Sequence, residues 1–249
     1  MDILLAKQLF SCIDNTTLNA TDNEPSVEAF CRRTLEMTVD GRQVAAVCVY
    51  PRWVACAKRT LAGSAIRVAS VAGAFPHGQL PLELKVAEVR QAIADGADEI
   101  DIVINRGLLL AGDDDGVVCE IQAMKQACGD HHLKVILETG ELPSPTLIAK
   151  AAQLAIDGGA DFIKTSTGKI GVGATLEAAE VMLNVVKRNV NFNKKTIGFK
   201  AAGGIRKPEE AMAYALLAKK IMGDDYVNNQ SFRIGASSLT EGLFSILTI

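Results

Sequence analysis

An α/β fold of eight repeated strand–helix units is predicted by three observations. Short β-branched runs alternate with longer, alanine-rich amphipathic runs along the whole chain. Eight such units fit within 249 residues, the size of a closed parallel barrel. An open doubly wound sheet, the competing arrangement, would carry a glycine-rich nucleotide turn after its first strand, and DNTTLNATDNE (14–24) stands there instead. The expectation is a single-domain (β/α)8 TIM barrel over residues 1–249 with a short N-terminal helix.

In order, the expected strands are SCIDNTTL (11–18), VAAVCVY (44–50), IRVASVAG (66–73), EIDIVIN (99–105), LKVILET (133–139), FIKTSTG (162–168), TIGFKAA (196–202) and FRIGASS (232–238). Helical candidates fill the seven intervals, and a shorter one follows the last strand. Pro51 and Pro208 sit where a first helical turn would begin. PSPTLIAKAAQLAIDGG (143–159) opens on Pro-Ser-Pro and closes on Gly-Gly, and ATLEAAEVMLNVVKRN (174–189) has apolar positions at helical spacing. GADEIDI (96–102) and GADFIKT (159–165) repeat one helix-end, Gly-Ala-Asp, strand pattern. The acidic run GDDDG (112–116) lacks the later glycine and glutamate of a calcium loop and reads as a solvated turn.

Composition narrows the function. The chain is 49% hydrophobic, so core volume is not limiting, and its net charge of −3 comes with scattered basic residues. That pattern offers no footprint for nucleic acid or an anionic membrane. MDILLAKQLF has an acid at position 2 and too short an apolar run for a signal peptide, and no stretch reaches transmembrane length. A soluble, cytoplasmic protein is expected. Cys12, Cys31, Cys48, Cys56, Cys119 and Cys128 show no C-x-x-C spacing, which fits reduced thiols. With three histidines in all, a histidine-rich metal site is not expected, nor is a cofactor.

Strand parity carries the chemistry. Successive side chains on a strand face opposite ways, so Ile100, Ile102 and Ile104 face the helices and Asp101, Val103 and Asn105 face the barrel interior. The same counting turns Lys134 and Ile136, then Phe162, Lys164 and Ser166, then Gly198 and Lys200 inward, while Leu133, Val135 and Leu137 face the helices. A lysine on a strand ordinarily blunts an exposed edge, but a closed barrel has no edge. Asp101, Lys134, Lys164 and Lys200 are therefore expected to converge inside it, toward the C-terminal mouth where barrel enzymes work. A buried salt-bridge network is the alternative.

Three lysines around one aspartate crowd positive charge in a desolvated space and favour release of a proton from one amine. Lowering a lysine by ~3 units from its usual value of about 10.4 costs ~4 kcal/mol and makes a neutral nucleophile abundant at pH 7. Such a site suits Schiff-base formation with a carbonyl compound, Asp101 moving protons with a water or a second lysine. Glycines and hydroxyl residues follow the last three strands in TSTGK (165–169), AAGGIR (201–206) and GASS (235–238). Backbone N–H groups there, with Gly203, Gly204, Ser237 and Ser238 in the usual barrel position, suit a phosphate. TSTGKI lacks the spacing of a Walker loop. His131 and His132 read as a surface connection before the fifth strand, His77 as a loop residue near the mouth, and Cys48 either as a substrate contact or as a packed core thiol.

Taken together, IDNTTLN, VCVYPR, AFPHGQ, GADEIDIVIN, LKVILETGEL, GADFIKTSTGK, GFKAAGGIR and RIGASS resemble, in order and from first strand to last, the 2-deoxyribose-5-phosphate aldolases, a class I Schiff-base family. The resemblance implies reversible cleavage of 2-deoxy-D-ribose 5-phosphate to acetaldehyde and D-glyceraldehyde 3-phosphate by a homodimer. It implies Lys164 as the Schiff-base lysine, Lys200 as the second lysine that lowers its pKa, Asp101 as the acid–base group and Lys134 as a supporting charge. Thr167, Gly168, Lys169, Gly203, Gly204, Ser237 and Ser238 match substrate and phosphate contacts. Ala201 replaces a proline of some relatives, which implies an altered loop stiffness, and the ending SILTI lacks the tyrosine-bearing tail with which some members assist proton exchange at the enamine, leaving Asp101 and Lys200 for that step. Action on another sugar phosphate, or a non-catalytic phosphate-binding barrel, are the competing readings.

Overall fold

The computed structural model describes residues 2–193 and 196–248, and side chains for these except 191–193. Met1 and Ile249, the outer ends of the MDILLAKQLF and SILTI stretches, lie outside the described residues.

Eight parallel strands close a barrel in sequence order: β1 (Ile13–Thr16), β2 (Ala46–Val49), β3 (Arg67–Ala72), β4 (Glu99–Val103), β5 (His132–Ile136), β6 (Phe162–Lys164), β7 (Gly198–Ala202) and β8 (Phe232–Ala236), with β8 pairing back onto β1. The N-terminal helix α1 (Ile3–Phe10) precedes β1, and α2 (Glu24–Glu36), α3 (Val54–Thr60) and α4 (Leu82–Ala94) follow the first three strands. The β4–β5 interval holds α5 (Arg106–Ala111) and α6 (Asp114–Cys128). Beyond it come α7 (Pro145–Asp157), α8 (Leu176–Asn193), α9 (Pro208–Met222) and α10 (Leu239–Leu247). The (β/α)8 expectation holds.

Local chemistry explains the helix starts. Asn23 and Ser26 form a reciprocal capping box at α2, Ser144 accepts from the Leu147 N–H at α7, and Asp2 does the same for Leu5 at α1. GDDDG is not a free turn. Gly112, at φ +80°, ends α5; Asp113 caps α6 by accepting from the Gly116 N–H; and Asp114 and Asp115 sit in the first turn, where a helix dipole favours acids. Pro51 opens a 3-10 turn (Pro51–Trp53) that leads into α3.

Outward strand residues such as Ile100, Ile102, Leu133, Val135, Ile163 and Phe199 join the helices in one buried cluster. The interior is divided. Ala46, Cys48, Ala69 and Val71 make a small apolar cluster on the β2–β3 side, and the buried charges occupy the rest. No helix among the described residues is long and apolar enough to cross a membrane.

Several expected strands run too far at their C-terminal ends, most of all the sixth, which stops at Lys164. Thr165, Ser166 and Thr167 leave the ladder there and turn through Gly168 at φ +73°. Asn105 likewise lies beyond β4, and instead of facing the interior its side chain caps α5 by accepting from the Leu108 N–H. His132 is the first residue of β5, half-buried beside the Phe162 ring, rather than part of a surface connection. Ala201 lies within β7, fully buried opposite Ile234, so the residue in the proline position belongs to a strand and not to a loop.

Candidate active site

Strand register places the charged residues side by side. Asp101 pairs with Lys134 across β4 and β5, Lys164 with Lys200 across β6 and β7, and Lys200 with Arg233 across β7 and β8. Asp101 is the hub. Its Oδ1 accepts from Lys134 Nζ at 2.9 Å, and its Oδ2 accepts from both Lys164 and Lys200 at 2.8 Å.

The expectation of three lysines around one carboxylate is incomplete, because Asp14 and Glu99 also enter the cluster. Lys200 lies 2.5 Å from Asp14, Lys134 lies 2.6 Å from Glu99, and Arg233 spans both acids through Nη1 to Asp14 at 2.6 Å and Nη2 to Glu99 at 2.8 Å. Arg67 closes the far side on Glu99 at 2.9 Å. Asp14 in IDNTTLN and Glu99 in GADEIDI were legible as acids on strands. Glu99 shares the parity of Asp101, and that parity was the missed signal.

The network sorts the lysines. Burial pushes Lys164 down, and the Lys200 charge adds to that, outweighing the opposing pull of Asp101. Lys134 and Lys200 are also fully buried, but flanking carboxylates more than offset the desolvation and hold both above the usual lysine range: Asp101 and Glu99 for Lys134, Asp101 and Asp14 for Lys200. Burial opposes ionisation of Asp101, yet Lys134, Lys164 and Lys200 together hold its carboxyl far below the usual range. The release of a proton from one amine is thus explained less by crowding alone than by two lysines each having a second acid and Lys164 having none.

Above the cluster a polar cavity of about 270 Å³ opens at the C-terminal mouth. Lys164, Thr167, Gly168, Lys169, Gly203, Gly204 and Ser237 line it. Asp101, Lys134 and Lys200 lie beneath, out of contact with solvent. Cys48 is fully buried on β2 among Ala46, Ala69 and Val71, with its thiol pushed up by burial and by Asp101, which is the environment of a packed core thiol. Ser238 is exposed at the start of α10 and does not line the cavity, whereas Thr16, Leu18, Asn19 and Arg206, which were not singled out, do. A roomier cavity, about 460 Å³, lies outside the barrel against α7 and α8, but its ionisable lining is Glu177 and Glu180. No barrel lysine reaches it.

Two glycines are required where they stand. A Cβ on Gly235 would come within 2.9 Å of Lys200 Cε, so the second lysine lies across bare backbone. Gly203, at φ +91°, packs its Cα toward Gly173 and Gly168, which brings the loops after β6 and β7 together.

Glu138 and Arg106 organise this mouth and were not foreseen. Glu138 is fully buried, and its carboxylate accepts from both the N–H (3.2 Å) and the hydroxyl of Thr167. The Thr167 hydroxyl oxygen in turn accepts from the Lys169 N–H at 3.0 Å. Arg106 stands 3.9 Å from Glu138, donates to the Pro76 carbonyl and pairs with Glu141 at 2.7 Å, joining the loops after β3, β4 and β5. The Thr167 proton is therefore committed to Glu138, and the residue presents an acceptor to the cavity. Glu138→Gln is expected to loosen the 165–169 turn and raise KM for a phosphorylated substrate about tenfold, with a smaller change in kcat. Steady-state kinetics check this, and a KM within twofold of wild type would refute it.

A closed barrel with one depressed lysine, bridged by a carboxylate to a charged one beneath a glycine-rich mouth, defines a barrel enzyme with an amine–carboxylate site. Residues 9–240 match the family model described as DeoC/LacD family aldolase, and the chain belongs to that family of carbon–carbon lyases. Two proteins named "putative deoxyribose-phosphate aldolase" are similar to it. One, from Caenorhabditis elegans, is 46% identical over 239 residues, covering 94% of this chain and 79% of that protein. The other, a crystal structure from Coccidioides immitis, is 30% identical over 95% of this chain and 85% of that one, with a TM-score of 0.81. A third structure, "QR15, an Aldolase", is 32% identical over 95% of this chain and 96% of that one, with a TM-score of 0.77.

Proposed function

We propose that this chain, acting as one barrel domain over residues 1–249, is a deoxyribose-phosphate aldolase that works through a Schiff base on Lys164. The observation that carries the reading is that Lys164 alone among the three cluster lysines both reaches the mouth cavity and is pushed toward the neutral amine. The names of the similar proteins supply the substrate class.

In this mechanism the neutral Lys164 amine attacks C1 of the open-chain aldehyde, and the carbinolamine loses water to form an iminium. Loss of the C3 hydroxyl proton breaks the C2–C3 bond, and its electron pair moves into the iminium to give an enamine and D-glyceraldehyde 3-phosphate. Protonation of the enamine at C2 and hydrolysis release acetaldehyde and return the amine. Asp101, held as a carboxylate, is a weak base; it stabilises the iminium cation and, through Oδ2, connects Lys164 to the Lys200 ammonium that supplies and recovers protons by way of water. Lys134 keeps Asp101 ionised and in place. The sugar phosphate is held by backbone N–H groups at Gly168, Gly203, Gly204 and Ser237 with the Lys169 ammonium, which also donates to the Leu18 carbonyl.

The decisive experiment is reduction with cyanoborohydride in the presence of acetaldehyde, followed by peptide mass spectrometry. A two-carbon adduct confined to Lys164 supports the reading; an adduct spread over surface lysines overturns it. Product analysis on other sugar phosphates separates this substrate from its relatives.

The same trapping reaction, followed against pH, reports the Lys164 pKa. Trapping requires the neutral amine, so its rate rises with pH through that pKa. Lys200→Met removes a charge that lowers Lys164 and frees Asp101 to stabilise its ammonium, and both changes raise the pKa. The inflection is therefore expected to move to higher pH; an unchanged profile would show that Lys200 does not tune the nucleophile.

The free state of all six cysteines supports a reducing, cytoplasmic setting, and the family resemblance supports a homodimer, which sedimentation analysis tests.

A further inference from the structure

A second polar cavity, of about 370 Å³, opens at the opposite end of the barrel, where the N-terminal ends of β1, β2, β3 and β8 meet. Arg42, Arg67 and Arg233 line it together with Gln43, Asn229 and Gln230, and no carboxylate among the described residues does. We propose that this cavity is a binding site for a compact, multiply charged oxyanion, separate from the mouth.

The donors are available. Arg42 is exposed and makes no ion pair among the described residues. Arg67 commits one of its five N–H groups, to Glu99. Arg233 is 1% exposed and fixed by Asp14, Glu99 and the Asn229 carbonyl, and one of its Nη2 hydrogens remains uncommitted. Guanidinium groups bind oxyanions through parallel N–H donors, and carboxamides extend such a set.

The charge balance points the same way. Even with Lys164 neutral, Arg67, Lys134, Lys200 and Arg233 face only Asp14, Glu99 and Asp101, and Arg42 adds to this excess. An anion beside Arg67 and Arg233 would offset it where solvent can still deliver the ligand. The volume lies at the small end of ligand sites, which suits an ion of diphosphate size rather than a large cofactor.

Calorimetric titration with inorganic pyrophosphate at about 0.15 M salt, a strength that screens loose surface attraction, tests the site. The mouth also attracts phosphates, so wild type is compared with Lys169→Gln at the mouth and Arg42→Gln and Arg67→Gln at the far end. The expected result is one pyrophosphate per chain that persists in Lys169→Gln and is weakened at least tenfold in both arginine variants. Arg42→Gln, being an exposed change, should leave the melting temperature of the anion-free protein unaltered. Absence of binding, binding lost in Lys169→Gln, or binding unchanged in Arg42→Gln would each overturn the proposal. Because none of these outcomes involves turnover, they are independent of the aldolase reading.

Discussion

Lys164→Ala is expected to lower retro-aldol turnover by at least ~10⁴-fold, the scale on which loss of a covalent nucleophile usually registers. Neither remaining lysine can substitute. Lys134 and Lys200 are fully buried and held as ammonium ions, Lys134 by Glu99, Asp101 and the more distant Asp14, Lys200 by Asp14 and Asp101, so they offer no accessible amine. The fold should survive, because Asp101 keeps Lys134 and Lys200 as partners and the lost side chain borders a cavity. A melting temperature close to wild type together with collapsed turnover is the expected pair. Residual turnover within a hundredfold of wild type would transfer the nucleophile role elsewhere and sink the Schiff-base assignment to this residue.

Arg233→Met should produce the largest loss of stability, on the order of 3–5 kcal/mol, the usual cost of removing one member of a buried ionic network. Among the described residues the guanidinium is the only group that touches both Asp14 and Glu99 at hydrogen-bond distance, and it lies 5.7 Å over the Phe162 ring. Methionine fills the space without the donors, so Asp14 and Glu99 each lose a buried charge-assisted hydrogen bond and the Asn229 carbonyl loses its guanidinium donor. For a chain of this size the loss corresponds to roughly 6–20 °C in melting temperature. Thermal denaturation measures the effect, and a shift below 2 °C in Arg233→Met would mean that the network carries little net stability.

Much of the arrangement was legible. Period-two alternation separates Ile100 and Ile102 from Asp101, and in a sheet that closes on itself there is no solvated edge to which Lys134, Lys164 and Lys200 could be assigned. Other residues escaped for reasons of range. Glu138 looks like a polar residue at the end of a strand, and only folding brings its carboxylate to Thr167, 29 positions away. Arg233 reads as an arginine near a chain end until β8 pairs with β1 and sets it beside Asp14, 219 positions away. Ser238, by contrast, has the right neighbours in sequence but lies at the start of α10, outside the cavity lining.

The sequence by itself determined the number of repeats, the inward parity of the charged residues and the loops in which glycine and serine collect, because each depends on spacing along one strand or turn. Which lysine is pushed toward the neutral amine was decided by the tertiary structure. Burial lowers all three lysines, and the difference in direction follows how many carboxylates the neighbouring strands bring to each. Glu99 goes to Lys134, Asp14 goes to Lys200, and Lys164, at the mouth, shares Asp101 with both.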